Sequence, residues 1–209
     1  GDSARIPYGT KSKQVIKKFA LQDARFLLSK GVKAILVACG TVSSNCLDDV
    51  KNESGIPVVG VIEEAAKTAS SIAKSGKGKV AVLGTSATVK SGAFKAELLK
   101  NGINDVTSVA CPMFVPLVEN WHPTKDDEAT NQIISEYLKD IIPSSPDAAI
   151  LGCTHYPLLA DAIQKHLPQT KLISSGAEAA KAAFKAVNEA LLTDEREKGM
   201  KIVIVVIET

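Results

Sequence analysis

Aromatic side chains are scarce in this sequence of 209 residues, in which one Trp, three Tyr and five Phe together make up 4%. Hydrophobic residues nevertheless account for 45%, so most of the apolar content is Ala, Val, Ile and Leu. Small aliphatic side chains of this kind are typical of helices packed on a sheet. The length provides enough material for one large domain or two small ones.

A strong excess of charge of one sign is also missing, since the formal net charge is +2 and Lys and Arg are interspersed with Asp and Glu. The absence of a basic stripe argues against binding to nucleic acid or to a membrane surface. The apolar runs are too short to span a bilayer, and the opening residues do not follow the pattern of a signal peptide. We therefore expect a cytoplasmic protein with no nucleic-acid or membrane partner.

Cysteine occurs at four positions, with neither the CxxC spacing of a metal site nor the density of a disulfide scaffold. We expect all of these residues to be reduced thiols. Cys46 lies within a predicted helix and Cys111 precedes Pro112, so we interpret both as structural. Cys39 and Cys153 differ from them because each follows an apolar run.

Apolar runs typical of buried strands alternate along the chain with helical patterns. The predicted strands cover residues 33–38, 57–62, 79–83, 106–110, 148–151, 171–173 and 202–207. The predicted helices cover residues 11–30, 43–53, 63–75, 91–101, 126–142, 158–166 and 176–192. This alternation indicates an α/β fold in which mainly parallel sheets are flanked by helices.

Two of the predicted strands end in similar sequences, AILVACGT at residues 34–41 and AAILGCTH at residues 148–155. Each is an apolar run that leads into a cysteine, with a threonine one or two positions later. We infer two similar α/β lobes, the first formed by residues 1–62 and 176–209 and the second by residues 63–175. The chain would then cross twice between the lobes.

Cys39 and Cys153 would lie at the carboxyl ends of their strands, where parallel α/β sheets bind ligands. Each also precedes a predicted helix, whose N-terminal N–H groups favour an anion and lower the pKa of a thiol. Two facing lobes would place one thiol on each side of a shared cleft. This arrangement suits racemisation, because one thiolate can remove an α-proton while the other thiol supplies one to the opposite face. A single cysteine here is more often a core residue, but two matched contexts favour the catalytic interpretation.

His155 directly follows Cys153 and Thr154, so it could stabilise or orient a thiolate. The alternative is a core histidine with its hydrogen bonds satisfied. Glu119 ends the apolar stretch at residues 114–118, and a surface position or a contact with His155 would fit it equally well.

Hydroxyl and backbone N–H groups suited to a carboxylate occur at Thr41, at Thr154 and in the turn GTSAT at residues 84–88. That turn follows a strand and opens a helix, so it could cradle an anion, although an ordinary helix N-cap would explain it as well. The rigid turn Pro7-Tyr8-Gly9 could form one wall of a pocket.

Several longer motifs are distributed along nearly the whole chain. They are GDSARIPYGTKS at residues 1–12, VACGTVSS at 37–44, PVVGVIE at 57–63, VLGTSATVKSGAF at 82–94, CPMFVPLVE at 111–119, LGCTHYPLL at 151–159 and SGAEAA at 175–180. In these motifs the sequence resembles the bacterial glutamate racemases of the cofactor-independent aspartate/glutamate racemase superfamily. GCTH is the most specific of them, because related aspartate racemases usually have Glu at the position of His155.

The resemblance implies a two-lobe α/β fold with the active site between the lobes. It also implies interconversion of L- and D-glutamate without pyridoxal phosphate or metal, to supply D-glutamate for peptidoglycan, by a protein that is often a dimer. By motif, Cys39 and Cys153 would be the catalytic acid–base pair, with His155 assisting Cys153 and Glu119 supporting His155. The positions implied in substrate binding are Pro7, Tyr8, Gly9, Gly40, Thr41, Thr88 and Thr154.

The sequence departs from the family pattern at its start. The family opens with a strand and an Asp-Ser-Gly-Val-Gly-Gly loop that contacts the substrate amino group, whereas this sequence begins after that segment. We therefore expect a truncated form with impaired activity. Gly40 stands where Asn is more usual, so one side-chain contact to substrate would be lost. The alternatives to a glutamate racemase are an aspartate-type racemase and an inactive protein that binds an acidic amino acid.

Overall fold

Two parallel sheets form the centre of the computed structural model, which describes residues 1–73, 78–121, 124–193 and 205–206. The first sheet has the order β2-β1-β7 and consists of β1 (Ile35–Val37), β2 (Val58–Gly60) and β7 (Val205–Val206). The second has the order β4-β3-β5-β6 and consists of β3 (Lys79–Gly84), β4 (Asp105–Ala110), β5 (Ala148–Leu151) and β6 (Lys171–Ser174). All of these pairings are parallel, which confirms the predicted fold class.

Helices separate the strands along the chain. In the described residues they are α1 (Lys13–Ser29), α2 (Gly40–Ser54), α3 (Ile62–Ile72), α4 (Ser86–Ser91), α5 (Ala93–Lys100), α6 (Phe114–Trp121), α7 (Glu128–Leu138), α8 (Ala160–His166) and α9 (Ser175–Thr193). Two short 3-10 turns cover Ile142–Ser144 and Tyr156–Leu159. None of the helices in the described part of the chain has both the length and the apolar character needed to cross a bilayer.

Local sequence accounts for several helix boundaries. α1 begins after Ser12 and α7 after Asp127, and each of these side chains accepts a hydrogen bond from a first-turn N–H group. The helix predicted for residues 91–101 is confirmed as α5, but the prediction missed α4, which Gly92 separates from α5 by adopting a left-handed conformation with φ of 70°.

The second sheet is covered by apolar clusters on both faces. Val80 and Val82 point into one cluster, with α3 and α5, while Ala81 and Leu83 point into the other, with α6, α7 and α8. This alternation follows the two-residue period of a strand. Leu36 of the first sheet belongs to the same buried cluster as Val80, so the two sheets share part of their core.

The C-terminal strand predicted at residues 202–207 is described at Val205 and Val206, which pair in parallel with Ile35 and Leu36. The rest of that prediction lies outside the described residues. The division of the chain into two lobes stays a prediction.

Candidate active site

The carboxyl ends of β1 and β5 meet at Gly40 and Gly152. Gly40 is the first residue of α2, and Gly152 follows β5. A Cβ built at Gly40 would lie 1.9 Å from the carbonyl oxygen of Gly152, so in this conformation a side chain at residue 40 would collide with backbone. The contact brings together the chain segments that carry Cys39 and Cys153.

Both of these cysteines are buried and in the reduced state, 2% exposed at Cys39 and 6% at Cys153. Burial raises the pKa of Cys153 and the nearby Cys39 adds to this increase, while the N–H groups of His155 and Tyr156 and the hydroxyl of Thr154 lower it, which gives a net pKa of about 12. Cys39 directly precedes Gly40 and Cys153 directly follows Gly152, so the contact of the two glycines places the two cysteines on adjoining segments of backbone.

The expectation that a following helix lowers the pKa of Cys153 is wrong in this structure. Cys39 does cap α2, but Cys153 leads into a turn and the 3-10 segment Tyr156–Leu159. Desolvation therefore outweighs the few hydrogen bonds that favour the Cys153 thiolate.

His155 links the thiol of Cys153 to the carboxylate of Glu119. Its Nε2 lies 2.9 Å from Oε1 of Glu119, and its Nδ1 lies 3.7 Å from Sγ of Cys153. An ionised carboxylate can only accept, so Nε2 donates to Glu119, and in the neutral ring Nδ1 is left as an acceptor facing the thiol. The sequence left open a surface position or a contact with His155 for Glu119, and the structure has both, since the side chain contacts His155 and is 36% exposed.

A chain of buried threonine hydroxyls connects α2 to the turn after β3. The Oγ1 atoms of Thr41 and Thr85 are 2.9 Å apart, and those of Thr85 and Thr88 are 3.0 Å apart. Thr85 is the N-cap of α4 and also accepts from the N–H of Thr88. The sequence pointed to this turn, but Thr88 and not Thr85 was predicted as the substrate-binding residue. The position of Thr85 directly after a strand, as the N-cap of the next helix, was the signal that could have identified it.

The turn Pro7-Tyr8-Gly9 packs against the same region. The carbonyl of Gly9 accepts a hydrogen bond from the N–H of Ala87 at 3.1 Å. A Cβ at Gly9 would lie 2.6 Å from Cβ of Thr85, so the close approach of these segments requires glycine at residue 9.

A network of charged side chains holds the Tyr8 side chain in place. The Tyr8 hydroxyl donates to a carboxylate oxygen of Asp2 and, at 3.3 Å, to Asp23. Arg5 bridges the two carboxylates at 2.6 Å and 2.7 Å and lies over the ring of Phe19. Burial raises the pKa of Tyr8, and the hydrogen bond to Asp2 raises it further, so this hydroxyl stays protonated and remains a donor.

A cleft with about 560 Å³ of empty space, partly open to solvent, lies over these groups. The predicted site residues that line it are Pro7, Tyr8, Gly9, Thr41, Glu119, Cys153 and His155. Thr85 and Ser86 also line it, as do the apolar residues Pro112, Val115 and Pro116.

Four predicted site residues do not line the cleft. Cys39, Gly40 and Thr88 are buried, and Thr154 lines an adjoining opening that shares Glu119 and His155 with the cleft. One of the two predicted acid–base thiols therefore faces the cleft while the other is covered. Within residues 1–73, 78–121, 124–193 and 205–206, no group of three or more His, Cys, Asp or Glu side chains is arranged to hold a metal ion.

Comparison with known proteins gives a consistent set of relatives. The family model for Asp/Glu/hydantoin racemase matches residues 2–183. The glutamate racemases of Persephonella marina and Aquifex pyrophilus are 43% and 45% identical over 175 residues, which is 84% of this chain and 66% of each relative. The chain thus spans about two thirds of the length of these curated relatives.

A solved structure supports the same relationship. The glutamate racemase of Francisella tularensis, in complex with D-glutamate, matches with a TM-score of 0.84 at 33% identity. The match covers 100% of this chain and 77% of that one.

Proposed function

The chain belongs to the Asp/Glu/hydantoin racemase family, and we propose that it is a glutamate racemase, an isomerase that interconverts L- and D-glutamate. The observation that carries this proposal is the chain of contacts from Cys153 through His155 to Glu119 at a cleft, beside the glycine contact that brings the Cys39 segment to the Cys153 segment. The glutamate racemases among the relatives, and the D-glutamate bound in the Francisella tularensis structure, support glutamate as the substrate.

In the proposed reaction, Cys153 transfers its proton to Nδ1 of His155, and the resulting thiolate and imidazolium stabilise each other. Glu119 accepts a hydrogen bond from Nε2 and so favours the charged ring. The thiolate removes the α-proton of one enantiomer, and the thiol of Cys39 delivers a proton to the opposite face. In the reverse reaction the Cys39 thiolate removes the α-proton and the Cys153 thiol delivers one. A second turnover in the same direction first requires a proton from solvent on Cys39 and loss of the Cys153 proton by exchange with solvent.

Substrate binding is assigned to the hydroxyl and backbone groups around the cleft. Thr41 lines the cleft beside Thr85, and we assign these hydroxyls to the amino acid's polar groups. Thr88 acts through its hydrogen bond to Thr85. Thr154 would contact substrate from the adjoining opening.

The other residues that we assign to substrate binding determine the shape of the site through their backbone atoms. Pro7, Tyr8 and Gly9 form one wall of the cleft. Gly40, which contacts the Gly152 carbonyl, sets how closely the two strand ends approach.

Entry of substrate between the two sulfurs requires a more open form. The contact between Gly40 and Gly152 closes the strand ends, and Cys39 is 2% exposed. We infer that the two sheets separate at this edge to admit glutamate and close again for catalysis, as enzymes with an active site between moving elements do.

To test this proposal, L-glutamate is incubated with the protein without added cofactor, and circular dichroism monitors the loss of its optical activity. Inversion should occur with the parent and disappear in both Cys39→Ser and Cys153→Ser, whereas Cys46→Ala, a buried thiol outside the proposed mechanism, should retain it. Inversion of L-aspartate but not L-glutamate would replace the proposal with an aspartate-type racemase. Calorimetric binding of glutamate without inversion would replace it with a binding protein.

The biological setting follows from the proposed reaction. We infer a bacterial cytoplasmic enzyme that supplies D-glutamate for peptidoglycan synthesis and cell wall biogenesis, and that associates as a homodimer. Sedimentation velocity at micromolar concentration tests the assembly, and a single species with the mass of one chain would contradict it.

A further inference from the structure

We propose that Tyr156 is a positioning residue, whose hydrogen bond to the Cys111 carbonyl holds Glu119 within reach of His155. This inference deepens the proposed function and rests on it for the reaction that the pair of Glu119 and His155 serves. The contacts themselves, and the first test below, do not depend on turnover.

The hydroxyl of Tyr156 donates to the carbonyl of Cys111 at 2.8 Å, and both residues are 0% exposed. The same carbonyl accepts the N–H of Phe114 at 3.1 Å, while the N–H of Cys111 donates to the Gly84 carbonyl at 2.9 Å. Cys111 therefore joins the end of β3 to the start of α6. Tyr156 fastens this junction to the turn after β5, which carries His155.

Ring packing fixes the same junction. Phe114, the first residue of α6, contacts the ring of Tyr156 at 5.1 Å between centroids with an interplanar angle of 72°. Glu119 lies five residues further along α6, roughly 7.5 Å along the helix axis. A small change in the direction of α6 at Phe114 would therefore be amplified at the carboxylate and would separate it from His155.

Apolar packing alone does not account for a tyrosine at residue 156. A buried hydroxyl costs free energy unless it is hydrogen-bonded, and phenylalanine would fill the same space without that requirement. Burial raises the pKa of Tyr156 well above its ordinary value, and the nearby titratable groups Cys153, Cys111 and Tyr137 raise it further. The side chain is thus neutral, so Tyr156→Phe removes a hydrogen bond and no charge.

The first test is the NMR signal of the His155 Nε2 proton. The hydrogen bond to Glu119 slows exchange of this proton with water, so we expect to observe it at low temperature, and His155→Asn identifies it among the signals of the three histidines. We expect the signal in the parent and its loss in Tyr156→Phe and in Glu119→Gln. Tyr137→Phe is the matched control, because Tyr137 also packs against the ring of Phe114, at 5.3 Å between centroids, and should leave the signal unchanged.

Two results would overturn the inference. Persistence of the signal in Tyr156→Phe would mean that Glu119 keeps its place without this hydrogen bond. Equal loss in Tyr137→Phe would assign the effect to general packing. Should Tyr156→Phe fail to fold, the hydroxyl proton of Tyr156 in the parent is measured instead: exchange with water as fast as at an exposed tyrosine would mean that the hydrogen bond to the Cys111 carbonyl is not formed and would overturn the inference.

The second test uses deuterium incorporation at the α-carbon in heavy water. Tyr156→Phe should slow incorporation by about fivefold or more for the enantiomer whose exchange depends on Cys153, as identified with Cys153→Ser, and leave the other enantiomer unchanged. Equal slowing of both would indicate a structural role only and contradict the inference. A parent that exchanges neither enantiomer would contradict the proposed function, while the NMR test would still decide the role of Tyr156.

Discussion

The backbone of Gly40 packs directly against the carbonyl oxygen of Gly152. A Cβ atom added at residue 40 would lie only 1.9 Å from that oxygen. The contact joins the beginning of α2 to the end of β5, and so links the two sheets beside Cys39 and Cys153. The strand ends can approach this closely only because residue 40 has no side chain. The position that the family more often fills with Asn is thus part of how the two sheets close in this chain.

Gly40→Ala should weaken this closed form. We expect the free energy of unfolding in urea to fall by about 1–3 kcal/mol, because the added methyl group collides with backbone, and alkylation of Cys39 by iodoacetamide to become faster. Gly176→Ala is the control, since a Cβ at Gly176 meets nothing within 4 Å. Unchanged stability and unchanged Cys39 reactivity in Gly40→Ala would mean that the contact is not maintained in solution.

Removal of the Glu119 carboxylate should impair the proposed reaction more than the fold. Glu119→Gln no longer favours the charged ring of His155, so we expect kcat/KM to fall about 10-fold or more with little change in melting temperature. The side chain of Glu136 is 71% exposed beside Lys139, and Glu136→Gln should change neither quantity. A Glu119→Gln variant as active as the parent would remove Glu119 from the mechanism.

Thr85→Val should break the hydroxyl chain between Thr41 and Thr88. The change leaves both hydroxyls without their shared partner and removes the N-cap of α4, so we expect a loss of about 1–3 kcal/mol of stability in urea. KM for glutamate should rise as well. Thr85→Ser keeps the hydroxyl and should restore most of both properties; a serine variant as impaired as the valine variant would argue that the methyl group matters instead.

The ionisation of Asp23 should contribute to the pH dependence of the protein's stability. Burial raises the pKa of Asp23 above its ordinary value of 3.8, the charge of Asp2 raises it further, and Arg5 and Tyr8 oppose the shift. Because the folded state then holds the proton more tightly than the unfolded state, this group favours folding at low pH and loses that contribution as pH rises from 3.8 through the raised pKa.

Urea denaturation across this range should therefore show a smaller decline of stability with pH in Asp23→Asn than in the parent. Asp126→Asn is a suitable control, because the Asp126 side chain is 75% exposed. Parallel pH profiles for Asp23→Asn and the parent would contradict the assignment.

Local pattern was sufficient to predict the parallel α/β architecture and the placement of Cys39 and Cys153 at strand ends, because strand and helix periods are properties of neighbouring residues. It did not reveal the contact of Gly40 with Gly152 or the hydroxyl pair of Thr41 and Thr85. Those contacts join residues far apart in sequence, and only the packing of the two sheets brings them together. Burial of the thiols escaped prediction for the same reason, since desolvation depends on the surrounding fold.

Leu36 lies in the first sheet, yet it shares a buried cluster with Val80 and Ile150 of the second. Neither sheet can therefore lose its packing while the other stays intact, and the pair should melt as one cooperative unit. At the strand ends the two sheets meet through the backbone of Gly40 and the carbonyl of Gly152, so movement there separates backbone and not apolar side chains. We therefore expect relative movement of the two sheets to occur mainly at the edge where Gly40 contacts Gly152.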